Sequence, residues 1–376
     1  MQEVFTLEKI YQAYLDCRIR KKNTANALRF EMDREENLIE LLKELKSRKY
    51  EISRHIYFII KEPAPREIFA ADFRDRVVHH LLYNEISYLF EDDFIDNSFA
   101  NRLGKGTHKG VEKLKEYLKS ASKDSYFLKL DVKSFFCTID KGILFKIVFK
   151  KIMDSNKSNY WKENIIWLCH KIIFHDPIEN CVFRGSPENK NLIPKEKSLF
   201  FSQGKGLPIG NLTSQFFANV YLDCLDHFIK DDLRVEKYIR YVDDIIIIGE
   251  SKDCLGKYIG LAEDFLKTKL GLKLKRRKTI LRPIRQGIDF LGYYVRRGYV
   301  LIRQKVVSRL KNRVRHGELF DIKVLSVINS YLGHFKHGNA YGLRKKIINE
   351  DLSKLKGFIE ISKDYLSIRQ IKCKNV

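Results

Sequence analysis

The sequence predicts an α+β fold organised around a sheet of ferredoxin-like topology. Three observations predict it: an apolar strand at residues 126–132, a strand pair at 238–248 that turns near Val242 and Asp243, and a last strand around 290–295. Helical segments separate these strands. The resulting order of strand, helix, hairpin, helix and strand is that of a split β-α-β sheet.

Helical periodicity covers most of the rest of the chain. The expected helical segments are, in chain order, the first 60 residues up to an apolar run at 56–60, residues 66–118 around a basic glycine loop at 101–106, a stretch with both tryptophans, a long helix capped by Asn211, Thr213 or Ser214, residues 256–270, and the basic residues 303–376. Pro63 and Pro65 interrupt the chain after the first segment. Residues 184–198 are expected to form an exposed polar loop.

The charge of the chain indicates a polyanionic partner. Its 376 residues include 71 lysines and arginines against 48 acidic residues, which gives a formal net charge of +23. Such an excess is usually tolerated because a polyanion binds it. Nucleic acid is favoured over a membrane surface, because the sequence has neither a basic anchor helix nor an apolar run near the roughly 18 residues that a span requires. Charge alone does not separate an enzyme from a passive RNA-binding protein.

The seven cysteines are scattered, and no Cys-x-x-Cys pair occurs. The sequence therefore predicts neither a disulfide framework nor a zinc site. Reduced thiols and an N-terminal segment without a signal-peptide pattern predict a cytoplasmic protein.

Two adjacent carboxylates, Asp243 and Asp244, lie inside an apolar segment that ends in residues 245–248. Like charges about 4 Å apart repel by on the order of 4 kcal/mol at an effective dielectric constant of 20, and desolvation adds to this cost. A divalent cation would neutralise such a pair, whereas an exposed hairpin tip with solvated carboxylates is the alternative. Asp231 and Asp232 lie among polar residues and are expected to be solvated.

A third carboxylate, Asp131, lies near the end of the apolar strand at 126–132. Phosphoryl transfer by two metal ions requires acidic ligands that hold the ions roughly 3.5–4 Å apart, and ligation by oxygen alone suits Mg²⁺. We therefore expect Asp131, Asp243 and Asp244 to hold two Mg²⁺ ions, with Mn²⁺ able to substitute.

Several segments resemble motifs of reverse transcriptases and occur in the order of that family. These segments are residues 66–68, 75–78, 98–102, 130–136, 241–244, 278–279 and 290–294. The resemblance implies an RNA-directed DNA polymerase, a nucleotidyltransferase with the right-hand fold. It also implies three parts: N-terminal helices and fingers at 1–122, a ferredoxin-like palm at 123–300 with a helical insertion at about 141–202, and a short helical thumb at 301–376.

The resemblance also implies roles for individual residues. Those implied for catalysis are Asp131, Asp243, Asp244 and Lys278, and those implied for metal binding are Asp131, Val132, Asp243 and Asp244. Those implied for the dNTP are Phe136, Ile209 and Gln215, together with Lys61 and Arg66, for which Arg74 is a competitor. The alternative for these three cations is a solvated face, and the alternative for Ile209 is packing beneath the turn before the helix at 211. Those implied for template or primer are Arg102, Gly210, Tyr241, Leu291, Gly292 and Tyr293. Lys278 would protonate pyrophosphate. Phe136 would be the steric gate against a ribose 2′-hydroxyl, with core packing as the alternative for Phe135 and Phe136.

The fourth motif of the chain narrows the resemblance. Most retroviral-type enzymes have Gln-Gly-x-x-x-Ser-Pro there, whereas this chain has Ile209-Gly210-Asn211-Leu212-Thr213-Ser214-Gln215. This form is typical of reverse transcriptases of diversity-generating retroelements. It implies low-fidelity, mutagenic retrohoming, in which a template-repeat RNA is copied into cDNA with misread adenines and with the help of a small basic accessory oligomer. The alternatives are another bacterial reverse transcriptase, of phage-defence or group II intron type, and a catalytically inactive RNA-binding scaffold.

Overall fold

The computed structural model of the chain describes residues 3–19, 21, 23–316, 322–355 and 357–371. The charged N-terminal segment forms three helices, α1 (Leu7–Arg18), α2 (Ala25–Met32) and α3 (Arg34–Lys46). Helix α1 begins after Thr6, whose hydroxyl accepts a hydrogen bond from the backbone N–H of Lys9. The apolar faces of these helices pack with α4 (Phe73–Glu91) in one core. The helical prediction is confirmed for these three helices and is wrong for residues 55–60, which form a strand.

Two antiparallel strands follow, β1 (His55–Ile60) and β2 (Arg66–Ala70), and the turn between them contains Pro63 and Pro65. The prediction of helix from residue 66 is therefore wrong for β2. In β2 the side chains of Glu67 and Phe69 are buried and that of Arg66 is exposed, which is the alternation of a strand. So short a strand offers too few periods to distinguish it by sequence from the helix that follows.

The middle of the chain alternates helices with short strands. In chain order it forms α5 (Thr107–Ser120), β3 (Tyr126–Asp131), α6 (Phe135–Thr138), α7 (Lys141–Met153), α8 (Asn159–Phe174), β4 (Cys181–Phe183), α9 (Leu212–His227), β5 (Lys237–Tyr241), β6 (Asp244–Gly249), α10 (Lys252–Leu270) and β7 (Ile280–Pro283). Strand β4 pairs with β1 and completes an outer sheet of order β2-β1-β4. The polar segment at 184–198 forms short 3-10 turns and is mostly exposed, as predicted.

The central sheet has the order β5-β6-β3-β7 and is antiparallel throughout. If its strands are numbered along the chain, they stand in the order second, third, first and fourth, which is the ferredoxin-like arrangement. The predicted topology is confirmed. Its fourth strand, however, is β7 and not residues 290–295.

Residues 288–302 form a separate antiparallel sheet, which we call the grip sheet. Its strands are β8 (Ile288–Phe290), β9 (Tyr293–Val295) and β10 (Val300–Ile302). The single strand predicted here is broken because Leu291 and Gly292, with φ angles of 51° and 88°, reverse the chain. Such left-handed conformations suit glycine and are rare for other residues.

The C-terminal region forms α11 (Gln304–His316), α12 (Ile322–Phe335) and α13 (Tyr341–Lys346), followed by a hairpin of β11 (Ile359–Ile361) and β12 (Ile368–Gln370). The prediction of helix over 303–376 holds for the three helices and is wrong for the hairpin. The prediction also covers residues 317–321, 356 and 372–376, which lie outside the described residues. None of the helices in the described ranges is long and apolar enough to cross a membrane.

Side-chain alternation gives the central sheet two different faces. Leu128 of β3 belongs to a core with α4, α7 and α9, whereas Phe127 belongs to a core with α5, the grip sheet, α11 and α12. By the same alternation, Asp131 and Asp244 lie on the same face of the sheet as Phe127. We call this face the cleft face. The part boundaries at residues 122 and 300 stay predictions.

Candidate active site

The three carboxylates predicted as metal ligands meet at one end of the cleft face. The register of β3 and β6 places Asp131 opposite Asp244. Tyr241 of β5 also pairs with Asp244, so Val242 and Asp243 form the turn between β5 and β6. Val242 has a φ of 55°, a left-handed conformation that is rare for a β-branched residue and costs on the order of 1–3 kcal/mol. The surroundings of the turn must therefore hold it in place.

The negative charges at this turn repel one another. Burial, together with the charges of Asp244 and Asp131, raises the pKa of Asp243 to about 6. A raised pKa means that the ionised carboxylate is disfavoured, and a cation among the three carboxylates would remove this penalty. By contrast, Asp231 and Asp232 are exposed in a π-helical turn after α9, as predicted.

Two lysines face these carboxylates. The Nζ of Lys278 lies 2.7 Å from Oδ2 of Asp131, and the Nζ of Lys129 lies 3.2 Å from Oδ1 of Asp244. Burial lowers the pKa of Lys278, but Asp131, Asp244 and Asp243 outweigh this effect and leave the pKa above its ordinary value. Lys278 is therefore protonated at neutral pH.

Lys129 is a site residue that the sequence motifs do not identify. Its Nζ also donates a hydrogen bond to the backbone carbonyl of Asp289 in β8, at 3.1 Å. Lys129 thus links the carboxylates to the grip sheet. The signal for it lies in the strand period, because residues 129 and 131 project from the same face of β3.

The three carboxylates are neighbours at this end of the sheet, but they do not form a ready metal-binding arrangement. Within the described ranges, no group of three or more His, Cys, Asp or Glu side chains is arranged to hold a metal ion. The donor set still fits Mg²⁺, because it consists of carboxylate oxygens whose mutual repulsion a cation relieves. Val132 is apolar and buried, so it can offer only its backbone carbonyl. A divalent ion would compete with Lys129 and Lys278 for the same carboxylate oxygens.

Two of the cations predicted for the triphosphate, Lys61 and Arg66, are exposed beside the turn between β1 and β2. Their neighbour Glu62 forms an ion pair with Arg313 of α11, with 2.6 Å between the charged atoms. The turn therefore contacts the C-terminal helices.

Two other predicted contacts, Arg74 and Arg102, are engaged within the fold. Arg74 forms an ion pair with Glu44. Arg102 donates hydrogen bonds to the Glu91 carboxylate at 2.6 Å and to the Ile95 carbonyl at 2.7 Å, and its side chain is only 7% exposed. Arg74 and Arg102 thus have partners within the fold, whereas Lys61 and Arg66 are exposed.

Phe135 and Phe136 have different surroundings. Phe135 is 3% exposed in the main core, whereas Phe136 is half-buried and packs against that core. The backbone carbonyl of Phe136 accepts a hydrogen bond from the N–H of Leu207 at 2.8 Å, which fixes α6 against the loop before α9. Gln215, on the first turn of α9, is also half-buried. Phe135 belongs to the core, and Phe136 remains the candidate for the gate.

The segment that begins at Ile209 is attached to the outer sheet. The backbone carbonyl of Ile209 accepts a hydrogen bond from the N–H of Phe69 at 3.0 Å. Gly210 has a φ of 128°, and a Cβ atom there would lie 3.2 Å from the Phe69 carbonyl oxygen, so the position requires glycine. Asn211 stands at the N-cap of α9 as predicted, but its side chain accepts a hydrogen bond from the N–H of Ala71 and does not cap the helix.

The predicted primer contacts are divided between a turn and a core. Leu291 and Gly292 form the turn between β8 and β9. Tyr293 is fully buried, and its hydroxyl donates a hydrogen bond to the backbone carbonyl of His334 in α12 at 2.8 Å. The Tyr293 side chain therefore secures the C-terminal helices, and Leu291 and Gly292 remain the candidates for primer contact.

Comparison with known proteins agrees with this fold. The family model described as reverse transcriptase (RNA-dependent DNA polymerase) matches residues 61–295, which is more than half of the chain. The COX1/OXI3 intron 2 protein of Saccharomyces cerevisiae is 19% identical over 287 residues, 61% of this chain and 30% of that protein. Protein YkfC of Escherichia coli is 21% identical over 314 residues, 73% of this chain and 70% of that protein.

Solved structures of telomerase also resemble the chain. One is telomerase from Candida albicans in complex with a TWJ fragment of telomeric RNA, with a TM-score of 0.48 and 14% identity over 83% of this chain and 58% of that chain. Another is apo telomerase from Candida tropicalis, with a TM-score of 0.49 and 13% identity over 81% of this chain and 59% of that chain. The chain thus spans less than a third of the yeast intron protein and less than two thirds of either telomerase.

The family match and the ferredoxin-like central sheet define the class of protein. The chain belongs to the reverse transcriptase family and has its α+β, right-hand polymerase fold.

Proposed function

We propose that this chain adds dNTPs to a primer 3′ end on an RNA template and releases pyrophosphate. The observation that carries the proposal is the register of β3 and β6, which sets Asp131 opposite Asp244 and beside the turn with Asp243. Family membership supports the same reaction. A passive RNA-binding scaffold would have no need of three neighbouring carboxylates that can bind metal ions.

Each residue of the site has a part in this chemistry. Bound Mg²⁺ ions would neutralise the transferring phosphoryl group and lower the pKa of the primer 3′-hydroxyl. Lys278, which is protonated beside Asp131, donates a proton to the departing pyrophosphate. Lys61 and Arg66 neutralise the triphosphate from the β1–β2 turn. Lys129 holds the Asp244 carboxylate beside the grip sheet by bonding to both.

Phe136→Ala is expected to weaken the preference for dNTPs over NTPs. The half-buried ring would clash with one ribose hydroxyl, and a steric difference of that size is worth roughly 10- to 100-fold in selectivity. DNA synthesis itself should continue. The measurement is the ratio of kcat/KM for dATP and ATP. Phe135→Ala is the matched control, and it should lower the free energy of unfolding without changing the ratio. Unchanged sugar selectivity in Phe136→Ala would remove it from the gate.

We further propose that the cDNA is mutagenic and belongs to a diversity-generating retroelement. The form of the fourth motif, with Ile209 in place of glutamine and Gln215 at its end, supports this branch. On this proposal the template is a template-repeat RNA, its adenines are misread, and a small basic accessory oligomer assists priming. The test is to sequence cDNA made from an RNA of known sequence. Errors should concentrate at template adenines.

Ile209→Gln is expected to lower the error rate at template adenine. A glutamine amide can hydrogen-bond a correctly seated nucleotide, and one such bond is worth roughly 0.5–1.5 kcal/mol, or about threefold to tenfold in selectivity. Because the Ile209 backbone is held by Phe69, the substitution changes the side chain at a fixed position. Ile209→Leu, which adds no hydrogen-bonding group, is the control. Equal error spectra for wild type and Ile209→Gln would exclude Ile209 from fidelity.

An ordinary reverse transcriptase of intron or phage-defence type is the second candidate. The likeness to the yeast intron 2 protein favours it. The same sequencing experiment separates the two candidates, because accurate copying at template adenines by the wild type would support this candidate and contradict the mutagenic one.

A further inference from the structure

Arg240, the residue before the Tyr241–Asp244 hairpin turn, is among the largest fully buried side chains in the described part of the chain. It is 0% exposed, and so is its ion-pair partner Asp226 of α9. By strand alternation its side chain lies on the face of the central sheet opposite the cleft face. No substrate on the cleft face can therefore touch it.

The guanidinium group of Arg240 is bonded on all sides. Its Nε lies 2.7 Å from Oδ1 of Asp226, and its Nη2 lies 2.6 Å from Oδ2 of the same carboxylate. Tyr238 donates a further hydrogen bond to Asp226. Nη1 donates to the side-chain oxygen of Asn219 at 3.1 Å and to the backbone carbonyl of Val242 at 3.2 Å. The last contact joins this buried network to the turn.

The Val242 carbonyl belongs to the peptide unit that joins Val242 to Asp243. A peptide unit is planar, so fixing its carbonyl also fixes the direction in which the chain enters Asp243. The left-handed φ of Val242 is unfavourable for a β-branched residue, and a hydrogen bond to this carbonyl offsets that cost. The same contact therefore determines where the Asp243 carboxylate points.

The network also reaches a neighbouring loop. The backbone N–H of Arg240 donates to the carbonyl of Asn97, and its carbonyl accepts from the N–H of Phe99, both at 3.0 Å. Asn219 donates to the carbonyl of Ala100 at 2.6 Å. The hairpin turn is therefore anchored to α9 and to residues 97–100 by one arginine and one asparagine.

A buried ion pair is weak support for stability, because well-packed apolar residues often serve as well. The contact of Arg240 with the Val242 carbonyl gives this arginine a role beyond stability. Resting on the proposed polymerase function, we propose that Arg240 is a positioning residue: with Asp226 and Asn219 it holds the Val242 carbonyl and so orients Asp243 for metal binding and catalysis.

Arg240→Lys is the most direct test. A single ammonium group keeps the charge opposite Asp226, but it cannot also bond Asn219 and Val242. We expect kcat for dNTP addition to fall roughly 10- to 100-fold, the usual effect of losing a group that orients a metal ligand, while KM for dNTP and affinity for RNA stay near wild type. Mn²⁺ affinity of the RNA-free protein, measured by electron paramagnetic resonance, should fall in parallel.

Arg344→Lys is the matched control. Arg344 is also a buried arginine that bonds backbone carbonyls, those of Phe335 and Asp364, but it lies on α13. Its variant should lose stability and keep the wild-type kcat per folded molecule and the wild-type Mn²⁺ affinity. An equal loss of kcat in Arg344→Lys would mean that any weakened core lowers activity, and it would overturn the proposal.

Asn219→Ala keeps the inference testable if Arg240→Lys does not fold. It removes one partner of Nη1 and leaves the ion pair with Asp226 intact, so kcat and Mn²⁺ affinity should fall in the same direction by a smaller factor. Wild-type kcat and Mn²⁺ affinity in a folded Arg240→Lys, or in Asn219→Ala, would overturn the proposal. A wild-type protein that makes no DNA would instead contradict the proposed polymerase function. The Mn²⁺ affinities of the variants would still decide whether Arg240 positions Asp243.

Discussion

Asp243→Asn is expected to abolish primer extension, with a loss of roughly 10³-fold or more in kcat, because a neutral amide would hold the metal ions more weakly than a carboxylate, and those ions would stabilise the charge that develops in phosphoryl transfer. Folding should survive. Burial and the neighbouring carboxylates raise the pKa of Asp243, so its ionised form destabilises the folded state at neutral pH. Removing that charge should leave the free energy of unfolding unchanged or higher. The measurements are single-turnover primer extension and chemical unfolding.

Asp232→Asn is the control within the same chain. Asp232 also belongs to an Asp-Asp pair, but it is exposed after α9 and should tolerate the change without loss of activity. Continued dNTP incorporation by purified Asp243→Asn at a rate near wild type would contradict the assignment of the three carboxylates.

RNA affinity should fall steeply with salt, by on the order of 10³ between 50 and 200 mM, if the chain neutralises several phosphates. The net charge of +23 is the basis for this expectation. Two unrelated RNAs of equal length should give the same slope, because phosphate contacts carry no sequence information. The measurement is a binding titration at several salt concentrations.

The Asp243→Asn protein should show the same salt slope as wild type, since the substitution removes no basic group. A flat salt dependence would exclude the electrostatic account of binding, even if the catalytic assignment held.

The carboxylates could be predicted because their signal is local. Asp131, Asp243 and Asp244 each adjoin apolar residues where charges are costly, and strand alternation then sets their common face. Lys129 lies on the same face of its strand as Asp131, but it belongs to no recognisable motif, so the sequence analysis did not identify it. The conformation of Val242 could not be predicted, because its cost is offset by Arg240, Asp226 and Asn219, groups that only the folded chain brings together.

What the sequence could not show has a common physical cause. Arg74 and Arg102 form ion pairs with Glu44 and Glu91, which lie far enough away in sequence that no local pattern pairs them. The strand expected at 290–295 is apolar enough for the central sheet, yet β7 takes that place by pairing with β3. Pairing between distant segments decides such cases, and propensity does not.

The most direct test of the central claim is RNA-templated primer extension by the purified wild-type protein, with Mg²⁺ and with dGTP omitted. Synthesis directed by the template should stop one nucleotide before the first template cytosine, and adding dGTP should release it. Extension that passes the cytosine at an unchanged rate, or no extension with all four dNTPs present, would contradict the claim that the site around Asp131, Asp243 and Asp244 copies RNA into DNA.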